Sequence, residues 1–206
     1  MRISAPGKTG LIQTAAPGAL TVSVAEAKTH MRVDGTSEDT LIENMIKAVT
    51  RAAEDYTHRA FITQDWRATY DAEVFTSLTI PAVPQILALP RAPLQSLQSV
   101  KTYDDDDSET AKDVADFHVD VNSQPGRICL KDGKTWPTSL RPIAAIEINY
   151  RCGYGDASSD VSDAIREAIL HGVGEMFENR EQLNLDAIAL PNVTKMFLCP
   201  FRILQI

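Results

Sequence analysis

The apolar positions between residues 38 and 60 recur at steps of three and four, which is the period of an amphipathic helix. Charged side chains from Glu43 to Asp55, Glu54 among them, fill the other face. About 20 residues make a helix ~30 Å long, and it runs into an alternating stretch that contains Trp66. The apolar stripe consists of Leu41, Ile42, Met45, Ile46, Val49, Ala52, Ala53 and Tyr56.

Capping signals place the starts of the first two helices. Ser23 and Glu26 fit a capping box, which predicts a short helix through Met31. Thr36 or Ser37 is expected to cap the long helix, because a side-chain hydroxyl can accept a hydrogen bond from an unpaired amide of the first turn.

The helical period returns near the C-terminus. Residues 161–180 predict a second long helix, with Asp160 or Ser162 as its cap. A last short helix opens near Leu190, with Asn192 as its N-cap, and ends at Pro200. The stripe of the second long helix is Ile165, Ala168, Ile169, Gly172, Val173, Met176 and Phe177.

Between these helical regions the periodicity is that of strands. The predicted strands are short and separated by turns, which indicates a small antiparallel β unit. An acidic run lies between two of them as a hairpin loop. The predicted strands are Thr63–Tyr70, Phe75–Ile80, Leu97–Tyr103, Phe117–Val121, Arg127–Leu130 and Ala145–Tyr150.

The order of elements predicts an α+β fold that is mainly helical, a helical bundle with a small antiparallel β unit inserted between its two long helices. Residues 1–20 are expected to form an N-terminal arm, and 21–206 a single domain. Within it the pattern assigns 21–60 to helix, 62–151 to the β insertion, 160–199 to helix and 200–206 to a C-terminal tail. With 206 residues, such a chain can bury one good core.

Composition narrows the classes of function. The net charge of −8 disfavours a nonspecific grip on DNA. No apolar run approaches the ~20 residues that span a bilayer, and residues 1–22 lack the layout of a signal peptide. We therefore expect a soluble, cytoplasmic protein. Three widely spaced cysteines, Cys129, Cys152 and Cys199, argue against disulfides and predict buried reduced thiols.

Candidate chemistry is sparse. Gly7-Lys8-Thr9 resembles the end of a P-loop, but Arg2 stands where that motif needs glycine, so a turn is the better interpretation. The four histidines are His30, His58, His118 and His171; none lies beside a plausible nucleophile, and no pair has metal-ligand spacing. We expect no enzyme activity, no metal site and no cofactor.

Two segments indicate a role in binding other molecules rather than in catalysis. The acidic loop, residues 104–107, predicts a solvated hairpin tip, with a weak divalent-cation site as the alternative. The docking segment, residues 195–206, is rich in apolar side chains. It either packs on its own domain or docks into another protein, because an exposed apolar terminus is a liability. The residues concerned are Asp104, Asp105, Asp106 and Asp107 in the loop, and Lys195, Met196, Phe197, Leu198, Phe201, Arg202, Ile203, Leu204 and Ile206 in the docking segment.

The order of local motifs over residues 20 to 203 resembles that of the head–tail connector, or adaptor, proteins of tailed bacteriophages and gene-transfer particles. The matching motifs are Val22-Ser23-Val24-Ala25-Glu26-Ala27-Lys28, then His30-Met31-Arg32-Val33-Asp34 with Glu38 and Asp39, then Glu54, Tyr56, Thr57 and Arg59 with Gln64 and Trp66, then Leu89-Pro90-Arg91-Ala92-Pro93-Leu94, then Gly153-Tyr154-Gly155, and finally Leu190-Pro191 with Phe197, Leu198, Pro200, Phe201 and Arg202.

This resemblance implies a structural part of a particle neck. Such adaptors form a ring of about twelve copies beneath the portal, by head-to-tail contacts. The ring extends the DNA channel, through which double-stranded DNA passes without specific binding, toward the tail. The implied partners are the portal protein, the next tail-side connector or stopper, and further copies of the chain, with assembly in the bacterial cytoplasm. The docking segment resembles the part that grips the portal. The resemblance implies no role for the acidic loop; its charge alone makes it a candidate for the channel wall.

Two other functions remain open on the sequence alone. A monomeric, non-catalytic binding module in particle assembly would also have an apolar tail and no active site. A hydrolase or metal-dependent enzyme would need a nucleophile–base pair or a ligand cluster. Dependence on a portal partner distinguishes the first alternative from the adaptor, although an adaptor that is monomeric when free can still assemble on a ring template.

Overall fold

The computed structural model describes residues 10–72, 86–179 and 190–204. These contain four α-helices and eight strands. The chain divides into two compact units, one built from residues 17–63 and 154–204 and the other mainly from residues 64–153 with the N-terminal strand. We call them the helical unit and the sheet unit. None of the described helices is long and apolar enough to cross a membrane.

The helical unit begins with the predicted capping box. The Ser23 hydroxyl accepts from the Glu26 amide at 3.1 Å, and the Glu26 carboxylate accepts from the Ser23 amide at 2.7 Å. The Arg166 guanidinium also contacts Glu26, and the pKa of Glu26 is lowered, first by the Ser23 hydrogen bonds and then by Arg166. The helices are α1 (Val24–Met31), α2 (Asp39–Thr57), α3 (Asp163–Glu178) and α4 (Asn192–Leu198).

The core of the helical unit lies where α2 and α3 cross and α4 packs on α3. Gly172 allows this close approach, because a Cβ at that position would lie 2.6 Å from Val49 Cγ1. The Thr194 hydroxyl donates to the Ala168 carbonyl at 3.2 Å, which fastens α4 to α3. The fully buried side chains of this core include Val22, Ile42, Ile46, Ala53, Phe61, Ile165, Ala168, Ile169, Val173 and Leu198.

The sheet unit contains two antiparallel sheets. The larger has the strand order β1-β2-β8-β4-β5 and the smaller the order β3-β7-β6. The strands are β1 (Gly10–Ala15), β2 (Gln64–Tyr70), β3 (Leu87–Leu89), β4 (Leu94–Tyr103), β5 (Glu109–Lys112), β6 (Phe117–Asp120), β7 (Gly126–Leu130) and β8 (Ile146–Cys152).

Alternating burial of side chains along the central strands forms the core of the sheet unit. Every other residue of β2 and of β8 is buried, as a strand with one covered face requires. Two tyrosines join the sheets. The Tyr70 hydroxyl donates to the Ala88 carbonyl at 2.8 Å and the Tyr150 hydroxyl donates to the Pro90 carbonyl at 2.7 Å. Burial raises the pKa of both phenols, so both stay protonated donors.

The prediction of a mainly helical bundle with a small β insertion was wrong. The β region has a core of its own and two sheets. The sequence underestimated it because β1 and β5 carry little apolar alternation. All four residues of β5 are exposed or half-buried, and the strand is defined by its backbone pairing with β4. Such long-range pairing leaves no local signal.

Most predicted elements are confirmed within a few residues, but the caps differ. Glu38, not Thr36 or Ser37, is the N-cap of α2, and it makes no side-chain capping bond. Ser162 takes the N-cap position of α3, and Pro191, not Asn192, that of α4. The predicted strand Phe75–Ile80 lies outside the described residues.

Candidate functional site

The docking segment is divided between buried and exposed side chains. Leu198 is fully buried, and Phe197 and Phe201 pack against the helical core. In contrast, Met196 is 66% and Leu204 71% exposed. The remaining predicted positions that are described are Lys195, Arg202 and Ile203, and Ile206 lies outside the described residues.

The end of α2 holds the last part of this segment. Arg59, which is 8% exposed, donates from Nε to the Phe201 carbonyl at 2.5 Å. The Ile203 amide donates to the Thr57 carbonyl at 3.0 Å. The Arg202 guanidinium lies 5.2 Å from the centre of the Tyr56 ring. The docking segment is therefore fixed to the helical unit at residues 201–203 by backbone and side-chain contacts.

One residue near this support was predicted differently from the sequence. Glu54 was predicted on the solvent face of α2, but it is only 4% exposed. Its carboxylate accepts from the Phe61 amide at 2.8 Å, just after α2 ends. Arg59 also lies 6.0 Å from the centre of the Tyr154 ring. Burial raises the pKa of Tyr154, and Arg59 opposes that shift. The only sequence signal for this pair was its place in the family motif.

Three aromatic rings, one each from α1, α3 and α4, contact one another in sequence. The ring centres of His30 and His171 are 5.1 Å apart in an edge-to-face arrangement. His171 stacks on Phe197, with ring centres 5.8 Å apart and 10° between the planes. Sequence spacing did not reveal the histidine pair, because His30 and His171 are brought together only by the packing of α1 on α3. Phe197 thus serves the internal packing of α4.

The acidic loop is a structured β4–β5 hairpin. Asp104 shapes the turn by accepting from the Asp106 and Ser108 amides at 3.1 and 2.8 Å. Asp107 adopts a positive φ of 61°, which is tolerated by aspartate in tight turns. The loop is also connected to the chain that precedes β8, since Asp105 accepts from the Ser139 hydroxyl at 3.0 Å.

Arg141 is the main partner of the acidic loop. Its Nη1 lies 3.0 Å from an Asp107 carboxylate oxygen, and the guanidinium lies 4.2 Å from the centre of the Tyr103 ring. The hairpin tip, which the sequence predicted as solvated, therefore also has a cation of the same chain beside its carboxylates.

The structure brings the other candidate residues together in no group that could hold a metal ion, among the residues it describes. Within residues 10–72, 86–179 and 190–204, no group of three or more metal-ligating side chains is assembled. Gly7, Lys8 and Thr9 lie outside the described residues. The three cysteines are free thiols; Cys152 is buried as predicted, Cys129 is half-buried and Cys199 is exposed.

The sequence matches a known family over part of its length. Residues 21–114 match the family described as "Phage gp6-like head-tail connector protein". This match covers α1, α2 and the strands β2 to β5. No curated relative matches the sequence.

Solved structures share the fold over nearly the whole chain. A chain from the neck of an empty gene transfer agent (GTA) particle, computed with C6 symmetry, is 21% identical with a TM-score of 0.73, covering 96% of this chain and 97% of that one. A chain of the neck of a native GTA particle, computed with C12 symmetry, is 20% identical with a TM-score of 0.72 over 96% and 97%. A chain of the native GTA virion is 21% identical with a TM-score of 0.70 over 95% and 96%.

These findings agree with what the sequence motifs indicated. At about one-fifth identity, the structural likeness establishes a shared fold, and the family match adds the class of protein. The predicted class of function, a structural connector, agrees with the description of the family that residues 21–114 match. Residues 21–114 are similar to the phage gp6-like head-tail connector family, and the resemblance predicted from the sequence is confirmed to that extent.

Proposed function

We propose that this protein is a structural head–tail connector in the neck of a phage-like or gene-transfer particle. It assembles as a ring under the portal, extends the DNA channel and joins the DNA-filled head to the tail. The observation that carries this proposal is the family match over residues 21–114. The fold shared with GTA neck chains over nearly the full length supports it.

Ring assembly is supported by the symmetry of those necks, which were computed with C6 and C12 symmetry. A ring of identical copies needs two different, complementary patches on each chain, because the same contact must repeat around the axis until it closes. The protein acts through these contacts and needs no catalytic group. Its net charge of −8 suits a channel wall along which DNA slides rather than binds.

The docking segment is the proposed portal contact, and its exposed side chains would make it. Met196 and Leu204 are both more than 60% exposed, whereas their neighbours Leu198 and Phe201 serve the internal core. Burial of two such side chains in a partner contributes apolar area without any cost to the fold of the connector. Internal packing and docking are thus divided between different residues of one segment.

Replacing Met196 and Leu204 together with serine is expected to weaken binding to the portal ring at least tenfold. The physical reason is the loss of two apolar contacts, each worth about 1 to 2 kcal/mol when buried. Native mass spectrometry of connector mixed with portal from the same genome measures the number of bound copies.

Val121→Ser is the matched control, because Val121 is a 40% exposed apolar side chain of the sheet unit. Equal binding by all three proteins would remove the docking segment from the portal contact. Failure of the unaltered protein to bind any portal would contradict the connector function and favour a monomeric binding module.

Asp106→Lys is expected to slow DNA passage if the acidic loop lines the channel, because a cation there would hold phosphates. The expected readout is a several-fold lower rate of DNA ejection from assembled particles, with the difference shrinking at high salt. Asp132→Lys makes the same charge change at another exposed turn of the sheet unit. Identical ejection by the two variants would exclude the acidic loop from the channel wall.

A further inference from the structure

The outward face of the three-stranded sheet holds a histidine and a cysteine directly opposite each other. The register of β6 and β7 pairs His118 with Cys129 and Asp120 with Arg127. Ile128, between the two β7 residues, is 1% exposed. Because successive side chains of a strand point to opposite faces, these four residues share the face away from the core. Sequence spacing did not reveal the pair of His118 and Cys129, because only the register of the two strands brings them together.

The neighbouring ion pair shows that side chains on this face reach across the two strands. Arg127 Nη2 lies 2.6 Å from an Asp120 carboxylate oxygen. Asp120 also accepts from the Asn122 and Ser123 amides, at 3.1 Å each, which fixes the turn between β6 and β7. Directly opposite residues of an antiparallel pair have Cβ atoms about 4.5 to 5.5 Å apart. At that separation, rotation about side-chain bonds brings an imidazole nitrogen to a thiol sulfur.

The three thiols of the chain have different surroundings. Cys152 is buried and Cys199 is exposed, whereas Cys129 is half-buried. The Cys152 thiol donates to the Gln64 carbonyl at 3.8 Å, in the core of the sheet unit. A thiol attacks as its thiolate, so a proton acceptor beside it speeds the attack. Cys129 combines partial access from solvent with an imidazole as its cross-strand neighbour, and His118 is itself exposed.

We infer that Cys129 is a modification site at which His118 assists attack of the thiol on the disulfide bond of a small molecule. The imidazole accepts the thiol proton while the Cys129 sulfur attacks one sulfur of that bond. The original S–S bond breaks, and a new S–S bond joins Cys129 to one half of the molecule. The other half leaves as a thiolate and takes up the proton that the imidazole then releases. Cys129 is oxidised and the leaving half is reduced, so no further reactant is needed.

The surroundings of Cys129 fit a small disulfide that carries carboxylates. A zinc site needs three or four protein ligands, and no group of three or more metal-ligating side chains is assembled in the parts of the chain that the structure describes. A half-buried sulfur between two strands is reached more easily by a small molecule than by a folded protein. Lys131, two residues beyond Cys129, is exposed and attracts carboxylates of the reagent.

The test measures the rate at which each thiol of the full chain forms a mixed disulfide with oxidised glutathione at neutral pH. Mass spectrometry of peptides from quenched samples separates the three cysteines. His118→Gln keeps a polar side chain but removes the base, and it is expected to slow the reaction of Cys129 at least tenfold. Cys199 is the internal reference, and its rate is expected to stay the same. Arg127→Gln alters the neighbouring pair on the same face and is expected to change the rate of Cys129 by no more than about twofold.

Equal rates at Cys129 in the unaltered protein and in His118→Gln would overturn the inference. A faster reaction in that variant would do so as well, because the histidine would then only shield the thiol. If Arg127→Gln slowed Cys129 as much as His118→Gln does, the order of the hairpin, and not a base, would control the rate. The experiment needs neither a portal nor a ring, so its outcome is independent of the proposed function.

Discussion

Gly172→Ala is expected to lower the free energy of unfolding of the helical unit by about 1–3 kcal/mol, the usual cost of an added methyl group in a packed core. Its Cβ would lie 2.6 Å from Val49 Cγ1 and 3.4 Å from the Thr194 hydroxyl oxygen. Val49 is 7% exposed and belongs to the core, so it cannot turn away without disturbing the contact between α2 and α3. Urea denaturation followed by circular dichroism measures the change.

Gly174→Ala, two residues along the same helix, is the control. There the added Cβ would lie 3.7 Å from the His30 ring and 4.0 Å from Met31 Cγ, which are ordinary contacts. Because no close contact opposes it, the substitution mainly raises the helix propensity of this position. It is expected to stabilise the protein by up to about 1 kcal/mol. The double variant Gly172→Ala with Val49→Ala should recover part of the loss, because it restores space. Two glycine variants of equal stability would contradict the close approach at Gly172.

Arg59→Met is expected to destabilise the helical unit by about 2–3 kcal/mol, in the range for hydrogen bonds made by charged groups. The substitution keeps the length of the side chain but removes the donor to the Phe201 carbonyl and the cation near Tyr154. It should also loosen residues 199–204, and the expected sign is faster amide exchange at Ile203, whose amide bonds to Thr57.

Arg202→Ala is the matched control for Arg59. Arg202 is exposed and contacts Tyr56 through its guanidinium, an interaction worth up to about 1 kcal/mol at an exposed site. The reactivity of the exposed Cys199 thiol provides a second readout in the same segment. If both variants lose the same stability and leave exchange at Ile203 unchanged, Arg59 does not hold the C-terminal segment.

The docking segment contains both residues that are fixed to the helical unit and residues that are exposed. The contacts of Arg59 and Thr57 fix the backbone near residues 201 and 203. Leu198 fills the core, while Met196 and Leu204 face outward. A segment fixed in this way loses less entropy on docking than a free tail would, so the expected result of loosening it is weaker portal binding.

The elements with a strong local pattern were predictable from the sequence. The apolar stripe of α2 has the helical period, and the structure buries five of its eight predicted residues, Ile42, Met45, Ile46, Val49 and Ala53. Leu41 and Ala52 are exposed and Tyr56 is half-buried. The capping box of α1 is local in the same sense, since its two partners lie three residues apart. In β2 and β8, alternation marked strands with one covered face. In each case the residues that determine the element are neighbours in sequence.

The elements that depend on distant partners were not predictable. The sequence of β5 is typical of a polar loop, because the strand is stabilised by backbone hydrogen bonds to β4. In the same way, β1 is a strand because it pairs with β2. Likewise, charge placed Glu54 on the solvent face, but the chain that follows α2 returns over it and the Phe61 amide bonds to its carboxylate. A buried carboxylate with a partner is invisible to periodicity, which counts polarity and not hydrogen bonds.

The candidate sites likewise include features that the sequence predicted and features that only the structure showed. The sequence by itself determined the amphipathic helices, the central strands, the acidic loop, the apolar docking segment and, through its motifs, the resemblance to the connector family. Only the tertiary structure decided which side chains of the docking segment remain exposed, that His30 meets His171, and that Arg141 pairs with Asp107 of the acidic loop. The physical reason is that periodicity records which face of an element is apolar, whereas exposure and pairing depend on what the folded chain brings against that face.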